Sequence, residues 1–148
     1  MEVKKKLFIC SFGLNPFNIS YKTEEIIKQA DIVISDVAEE KDFLWLNPKK
    51  FILPEKKEFD EKSLIKSIYL TIKKNLKKYK NIVFLTSGNP LFLNSIVEKI
   101  FWKFSRVASV IVEPSVSSFD FLIDKILREL KIVTRDITQY LNLKTYTL

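Results

Sequence analysis

The pattern that most constrains the fold is a set of four short apolar runs separated by longer segments of helical periodicity. Each run is continuous, rich in β-branched or aromatic side chains, and followed at once by polar or turn-forming residues. The runs are residues 7–10, 32–34, 82–85 and 110–112. Strands buried on both faces have this character, and parallel sheets covered by helices are built from such strands. The alternation predicts an α/β fold with three layers, α/β/α, around a mainly parallel sheet.

The segments between the runs predict four helices. Ser20 is the N-cap candidate of the first helix, which carries its apolar stripe on Ile26 and Ile27. The second helix begins near Asp60 or Ser63, either of which could cap it. The remaining predictions are a third helix over residues 94–104, a fourth over 118–130, and a loop with a short strand within 41–58.

Composition excludes several kinds of chemistry. The chain has no histidine, and Cys10 is its only cysteine. A Ser-His-Asp triad, a Cys-His dyad, a zinc site of the Cys/His type and an intramolecular disulfide are therefore excluded. We interpret Cys10, which lies between apolar neighbours, as a small buried hydrophobe. With only 2 glycines in 148 residues, a Gly-rich phosphate loop is also disfavoured.

Charge and hydropathy bear on partners and location. The net charge of +7 favours anionic partners. Seven lysines between positions 62 and 80 lie on a helix whose other face is apolar, so a solvated face is favoured over nucleic-acid binding. Weak RNA binding by this helix is a further hypothesis, which predicts a steep loss of affinity with salt.

The apolar runs are shorter than a membrane span or a signal peptide requires, so we expect a cytoplasmic protein with no membrane partner.

The length predicts one domain. We expect residues 1–130 to form it, and residues 131–148 to be a C-terminal tail or the start of a second domain.

Both glycines fall in loops that follow apolar runs, and this placement points to a ligand site. Ligands of open parallel sheets bind beyond the carboxyl ends of the strands. Simpler explanations exist for each loop alone: a tight turn at residues 87–90, a helix N-cap at Ser117 or Ser118, and a solvated turn acid at Asp36. The joint placement of small residues at four strand ends favours the ligand site.

Three segments resemble one family in the family's order and spacing. They are "LFICSFGLNP" with "IIKQADIVISD", then "NIVFLTSGNPLF", then "VIVEPSVSSFDFL", together covering residues 7–126. They resemble the N-terminal domain of the tetrapyrrole methylase-like, S-adenosylmethionine-dependent methyltransferases. The chain departs from the family pattern in its first loop, where Gly13 is the only glycine. It departs again at Asn89, which replaces the acid of a Gly-Asp-Pro loop, and at Ser115, which replaces a glycine.

The resemblance implies a methyltransferase that uses S-adenosylmethionine, with a tetrapyrrole or a peptide as the methyl acceptor. It places the donor beside Gly13, Ser87, Gly88, Asn89, Phe92, Ser117 and Ser118. Asp36, after the second strand, is the candidate for orienting the acceptor or taking its proton.

The family's enzymes hold the donor between two α/β domains. We therefore expect a half-enzyme that forms a homodimer or pairs with a separate partner chain. The alternative is a non-catalytic binding or assembly module that keeps the methylase fold.

Overall fold

The computed structural model describes residues 5–54 and 60–130. Its strands are β1 (Lys6–Ser11), β2 (Ile32–Ser35), β3 (Phe51–Ile52), β4 (Asn81–Thr86) and β5 (Ser109–Val112). Its α-helices are α1 (Tyr21–Gln29), α2 (Glu61–Leu76), α3 (Ser95–Phe104) and α4 (Ser118–Leu130). The chain divides into two compact units, the first ending at Val116 and the second beginning at Ser117.

The five strands form one parallel sheet in the order β3-β2-β4-β1-β5. The predicted α/β fold with a mainly parallel sheet is confirmed. Strands β4 and β1 are central, with Ser11 paired opposite Thr86 at their carboxyl ends. The next strand continues this register, because Ser35 of β2 is paired with Leu85 of β4.

The helix starts follow the capping rules. The Ser20 hydroxyl accepts a hydrogen bond from Thr23 N at 3.1 Å, and Asn94 Oδ1 accepts one from Val97 N at 3.0 Å. Of the two residues that could cap the second helix, Asp60 does so, because its Oδ1 accepts from Ser63 N at 3.0 Å. Each cap satisfies a backbone N–H that has no partner within its helix.

Two apolar cores lie on opposite faces of the sheet. One packs α2 and α3 against alternate residues of the central strands, among them Ile9 and Phe84. The other packs α1 and a 3-10 helix (Glu40–Leu46) against the intervening residues, among them Cys10 and Leu85. Cys10 is fully buried, so its interpretation as a core residue is confirmed. Adjacent residues of a strand therefore pack in different cores, because successive side chains of a strand point to opposite faces of the sheet.

Residues 41–58 differ in part from the prediction. The expected short strand is β3, but the expected loop contains the 3-10 helix, which Asn47 follows in a left-handed conformation. Phe43 and Leu46 of this helix are buried, so the segment covers the sheet. A 3-10 turn lacks the 3.6-residue repeat that identifies an α-helix in a sequence. The tail predicted for residues 131–148 lies outside the described residues.

Within the described ranges, no helix is long and apolar enough to cross a membrane.

Candidate active site

A row of buried polar side chains crosses three adjacent strands at the carboxyl edge of the sheet. Ser11 ends β1, Thr86 ends β4, and Asp36 follows β2 directly. The Thr86 hydroxyl donates to Asp36 Oδ2 at 3.2 Å, and Ser11 is the register partner of Thr86. Asp36 is only 2% exposed, so the interpretation of Asp36 as a solvated turn acid is wrong.

Gly13 and Gly88 join the loops after β1 and β4 by direct main-chain contact. They form an isolated antiparallel bridge, in which Gly88 N donates to Gly13 O at 2.8 Å. Ser11 strengthens the junction, because its hydroxyl accepts from Gly13 N at 2.9 Å and donates to Gly88 O. The two loops are therefore held together by peptide groups and one buried hydroxyl.

Both glycines have a positive φ, +73° at Gly13 and +68° at Gly88, but their surroundings differ. A Cβ on Gly13 would lie 2.6 Å from Asn18 Cβ and 2.8 Å from Val116 Cγ2, so close packing requires glycine there. A Cβ on Gly88 would meet no atom within 4 Å. The main chain at Gly88 consequently borders open space, which another molecule can enter to contact the backbone.

The loop after Gly88 continues as a turn. Phe92 N donates to Asn89 O at 3.1 Å, and Asn89 Oδ1 accepts from Leu91 N at 2.9 Å. A proline at the second position and an asparagine at the first are typical of such turns. A tight turn therefore exists, but it spans residues 89–92, two positions later than the predicted 87–90, and it coexists with the bridge. Ser87 and Phe92 are exposed, and Leu93 has a positive φ of +49°.

An apolar cavity of about 620 Å³ lies beyond this turn. Its lining includes Pro90, Leu91, Leu93, Phe101 and Val112. None of Gly13, Gly88 and Asp36 lines it, so the cavity neighbours the glycine bridge along the chain without including it.

Ser117 and Ser118 belong to the second unit, at the start of α4. The Ser117 hydroxyl accepts from Asp120 N at 3.3 Å and donates to Asp120 Oδ2 at 2.7 Å, while Ser117 N donates to the same carboxylate oxygen at 2.6 Å. These bonds lower the pKa of Asp120, the backbone N–H of Ser117 contributing most. The predicted N-cap is therefore confirmed at Ser117 and accounts for its hydroxyl.

The structure brings together Asp36 and the two loops that carry Gly13, Ser87, Gly88, Asn89 and Phe92. Sequence reasoning missed Ser11 and Thr86, although these two side chains connect the predicted residues. A signal was present, since in each case a hydroxyl residue follows a continuous apolar run. Their pairing depends on strand register, which no local pattern reveals.

Comparison with known proteins identifies the family. The sequence model of the family described as Tetrapyrrole (Corrin/Porphyrin) Methylases matches residues 6–139. The chain belongs to the tetrapyrrole methylase family. The enzymes of this family are S-adenosylmethionine-dependent methyltransferases, so the resemblance inferred from three short segments is confirmed.

Solved structures of tetrapyrrole methylases and related enzymes share the fold. A uroporphyrin-III C-methyltransferase from Thermus thermophilus complexed with S-adenosylhomocysteine is 21% identical, with a TM-score of 0.60 over 76% of this chain and 49% of that one. A cobalt precorrin-4 methyltransferase of cobalamin biosynthesis is 19% identical, with a TM-score of 0.58 over 76% and 46%. A diphthine synthase is 18% identical, with a TM-score of 0.62 over 76% and 45%.

The chain spans about half the length of the solved structures that it matches. Comparison with curated proteins gives no significant match.

Proposed function

We propose that the chain binds S-adenosylmethionine at the glycine bridge and takes part in methyl transfer. One observation carries the proposal. In a member of a methyltransferase family, two loops at the carboxyl edge of a parallel sheet are joined through glycines, and the main chain of Gly88 borders open space. Ligands of open α/β sheets bind at this edge.

The residues around the bridge fit such a ligand. Because the Gly88 N–H already donates to Gly13 O, the backbone of the neighbouring Ser87 and Asn89 would hold the polar methionyl or ribose part. The half-exposed ring of Phe92 would contact an apolar surface. Gly13 fixes the second loop against the first. Donor contacts from Ser117 and Ser118, which belong to the second unit, stay a prediction of the family resemblance.

The proposed chemistry requires little of the protein beyond placement. The bound donor supplies an activated methyl group, whose bond to sulfur breaks as the bond to the acceptor forms. The chain's contribution is to align the reactants and exclude water, and neither task needs histidine. Asp36 is proposed to orient the acceptor or to take its proton. The Thr86 hydroxyl holds one of its carboxylate oxygens in place.

The acceptor is proposed to be a tetrapyrrole or a peptide with a substantial apolar part. The cavity beside the β4–α3 loop supports this, because leucine, valine and phenylalanine side chains form much of its wall. Completion of the site by a second copy or by a separate partner chain stays a prediction. Light scattering tests the first form, since a monomer at micromolar concentration would contradict a homodimer.

Isothermal titration with S-adenosylmethionine and S-adenosylhomocysteine tests donor binding. We expect Gly88→Asn to weaken affinity at least tenfold, because asparagine tolerates a positive φ while its side chain enters the open space. Leu93→Asn is the matched control. It also places asparagine at a left-handed position, in the same loop but away from the bridge, and should leave affinity within about twofold.

Two results would overturn the proposal. One is the absence of heat from the folded wild-type chain with either ligand, which would favour a non-catalytic module that keeps the fold. The other is unchanged affinity in Gly88→Asn.

A further inference from the structure

The positive charge of the chain is concentrated on one face of the sheet. Between Asp60 and Arg106 there are ten lysines and arginines against three aspartates and glutamates. This segment, which contains α2, β4 and α3, therefore has a net charge equal to the +7 of the whole chain. Both helices pack against the same side of the sheet, so the exposed lysines that they carry form one basic two-helix surface. It consists of Lys62, Lys66, Lys73, Lys74, Lys99 and Lys103 within the helices, and Lys77 directly after α2. We call it the α2–α3 face.

Few carboxylates neutralise this face. Among the described residues, its only ion pair joins Lys99 to Glu61 at 3.1 Å. At the seam between the helices, Lys73 Nζ and Lys103 Nζ lie 5.6 Å and 4.8 Å from the ring centroid of Tyr69. Tyr69 itself packs against Phe104. Two ammonium groups from different helices thus lie near one aromatic ring, where an external anion would be attracted by both.

Two large apolar side chains stand out among these lysines. Leu70 of α2 is 52% exposed and Trp102 of α3 is 67% exposed. Each is two residues from a fully buried isoleucine, Ile68 and Ile100, so each lies on the helix face opposite the core. Each helix thus presents one large apolar side chain on its outer line, with lysines one turn away at Lys66, Lys73 and Lys99.

We propose that the α2–α3 face docks on the surface of an anionic lipid bilayer. Lysines beside an anionic membrane are attracted by its surface potential. Exposed leucine and tryptophan side chains on a basic helical surface can enter the boundary between headgroups and acyl chains. This proposal departs from the expectation that the chain has no membrane partner, which rested on the lack of a spanning segment and did not address surface binding.

A bilayer suits this face better than nucleic acid does. Nine of the ten basic residues are lysines, which act as point charges, and only Arg106 offers the planar fork that pairs with phosphate in a bidentate manner. Leu70 has no ring on which a base could stack, whereas stacking contributes much of the affinity for single-stranded nucleic acid. Tryptophan is common to both kinds of surface, but an exposed leucine beside it favours lipid.

Vesicle co-sedimentation of the full chain tests the proposal. We expect binding to phosphatidylcholine vesicles that contain phosphatidylglycerol, and none to phosphatidylcholine alone. The triple variant Lys66→Gln, Lys73→Gln, Lys77→Gln should lower the partition coefficient by about tenfold or more. Its matched control removes three lysines outside the face, Lys22→Gln, Lys41→Gln and Lys49→Gln, and should retain most of the binding.

Fluorescence tests the contribution of the two exposed apolar side chains, Leu70 and Trp102, separately. In a Trp45→Phe background Trp102 is the only tryptophan, and its emission should shift to shorter wavelength with anionic vesicles. Leu70→Ser should reduce binding without changing the net charge. Because Leu70 is exposed, this substitution should leave the thermal midpoint nearly unchanged.

Three outcomes would overturn the proposal. They are no binding to anionic vesicles by the folded chain, equal binding by the two lysine variants, and salt-sensitive binding to poly(U) RNA without vesicle binding. The last outcome would assign the face to nucleic acid.

Discussion

Single residues at the carboxyl edge have unequal tolerance to change, and the two glycines show this most clearly. Both occupy left-handed backbone conformations, but only Gly13 is packed against Asn18 and Val116. The left-handed conformation alone costs an L-residue about 1–2 kcal/mol. A steric clash in a packed region adds about 1–3 kcal/mol. The same substitution should therefore have different effects at the two positions.

We predict that Gly13→Ala lowers the free energy of unfolding by about 2–5 kcal/mol and Gly88→Ala by about 1–2 kcal/mol. Urea denaturation followed by circular dichroism measures both. Equal losses would show that the Asn18 and Val116 contacts relax at no cost, contrary to the packing described above.

Cys10 gives a prediction about pH. Burial, followed by the charge of Glu113, raises the pKa of its thiol from 9.0 to about 12. The unfolded chain therefore releases this proton at a lower pH than the folded chain. The resulting contribution to stability is complete below pH 9 and decreases between pH 9 and about 12, by up to about 1.4 kcal/mol per pH unit.

Comparison with Cys10→Ala isolates this effect, because lysines and tyrosines titrate alike in both proteins. The stability difference between the wild type and the variant should narrow as the pH rises above 9. A constant difference would contradict the raised pKa.

At the scale of elements, the helix caps are the simplest features to test. Asp60 Oδ1 accepts a hydrogen bond from Ser63 N at the start of α2. We predict that Asp60→Ala lowers the free energy of unfolding by about 1 kcal/mol, whereas Asp60→Asn changes it by only a few tenths. Thermal denaturation distinguishes the two. If Ser63→Ala were the more damaging substitution, Asp60 would not be the cap.

The elements also show how far the sequence predicts this structure. Continuous apolar runs predicted β1, β2, β4 and β5, and the three- and four-residue spacing predicted the α-helices, because both signals are local. The 3-10 helix over Glu40–Leu46 was missed because it has no such period. Ser11 and Thr86 were not recognised because their pairing is a long-range contact. They are 75 positions apart in the sequence, and strand register places them side by side. Asp36 was identified by position, but its burial depends on contacts that the sequence does not display.

At the scale of the whole molecule, the central strands couple the two cores. Phe84 and Leu85 are neighbours in β4, yet they pack on opposite faces of the sheet. Loss of either core exposes the same strands, so the first unit should unfold in one cooperative transition.

Two single-tryptophan proteins test this cooperativity. Trp45 reports on the α1 side and Trp102 on the α2–α3 face, so Trp45→Phe and Trp102→Phe each leave one reporter. We predict coincident urea transitions. Phe84→Ala, which truncates a fully buried ring, should lower the free energy of unfolding by about 3–5 kcal/mol, and by the same amount with either reporter. Transitions that separate would show that the two layers unfold independently.

The junction between the first and fourth strand loops has a consequence for how distant members of this family are recognised. Its hydrogen bond connects the peptide N–H of Gly88 with the carbonyl of Gly13, and neither group changes when a neighbouring side chain is replaced. The same backbone junction can therefore persist while the residues around it diverge, as at Asn89 and Ser115 in this chain. Searches based on backbone geometry should accordingly find relatives that searches with sequence motifs miss.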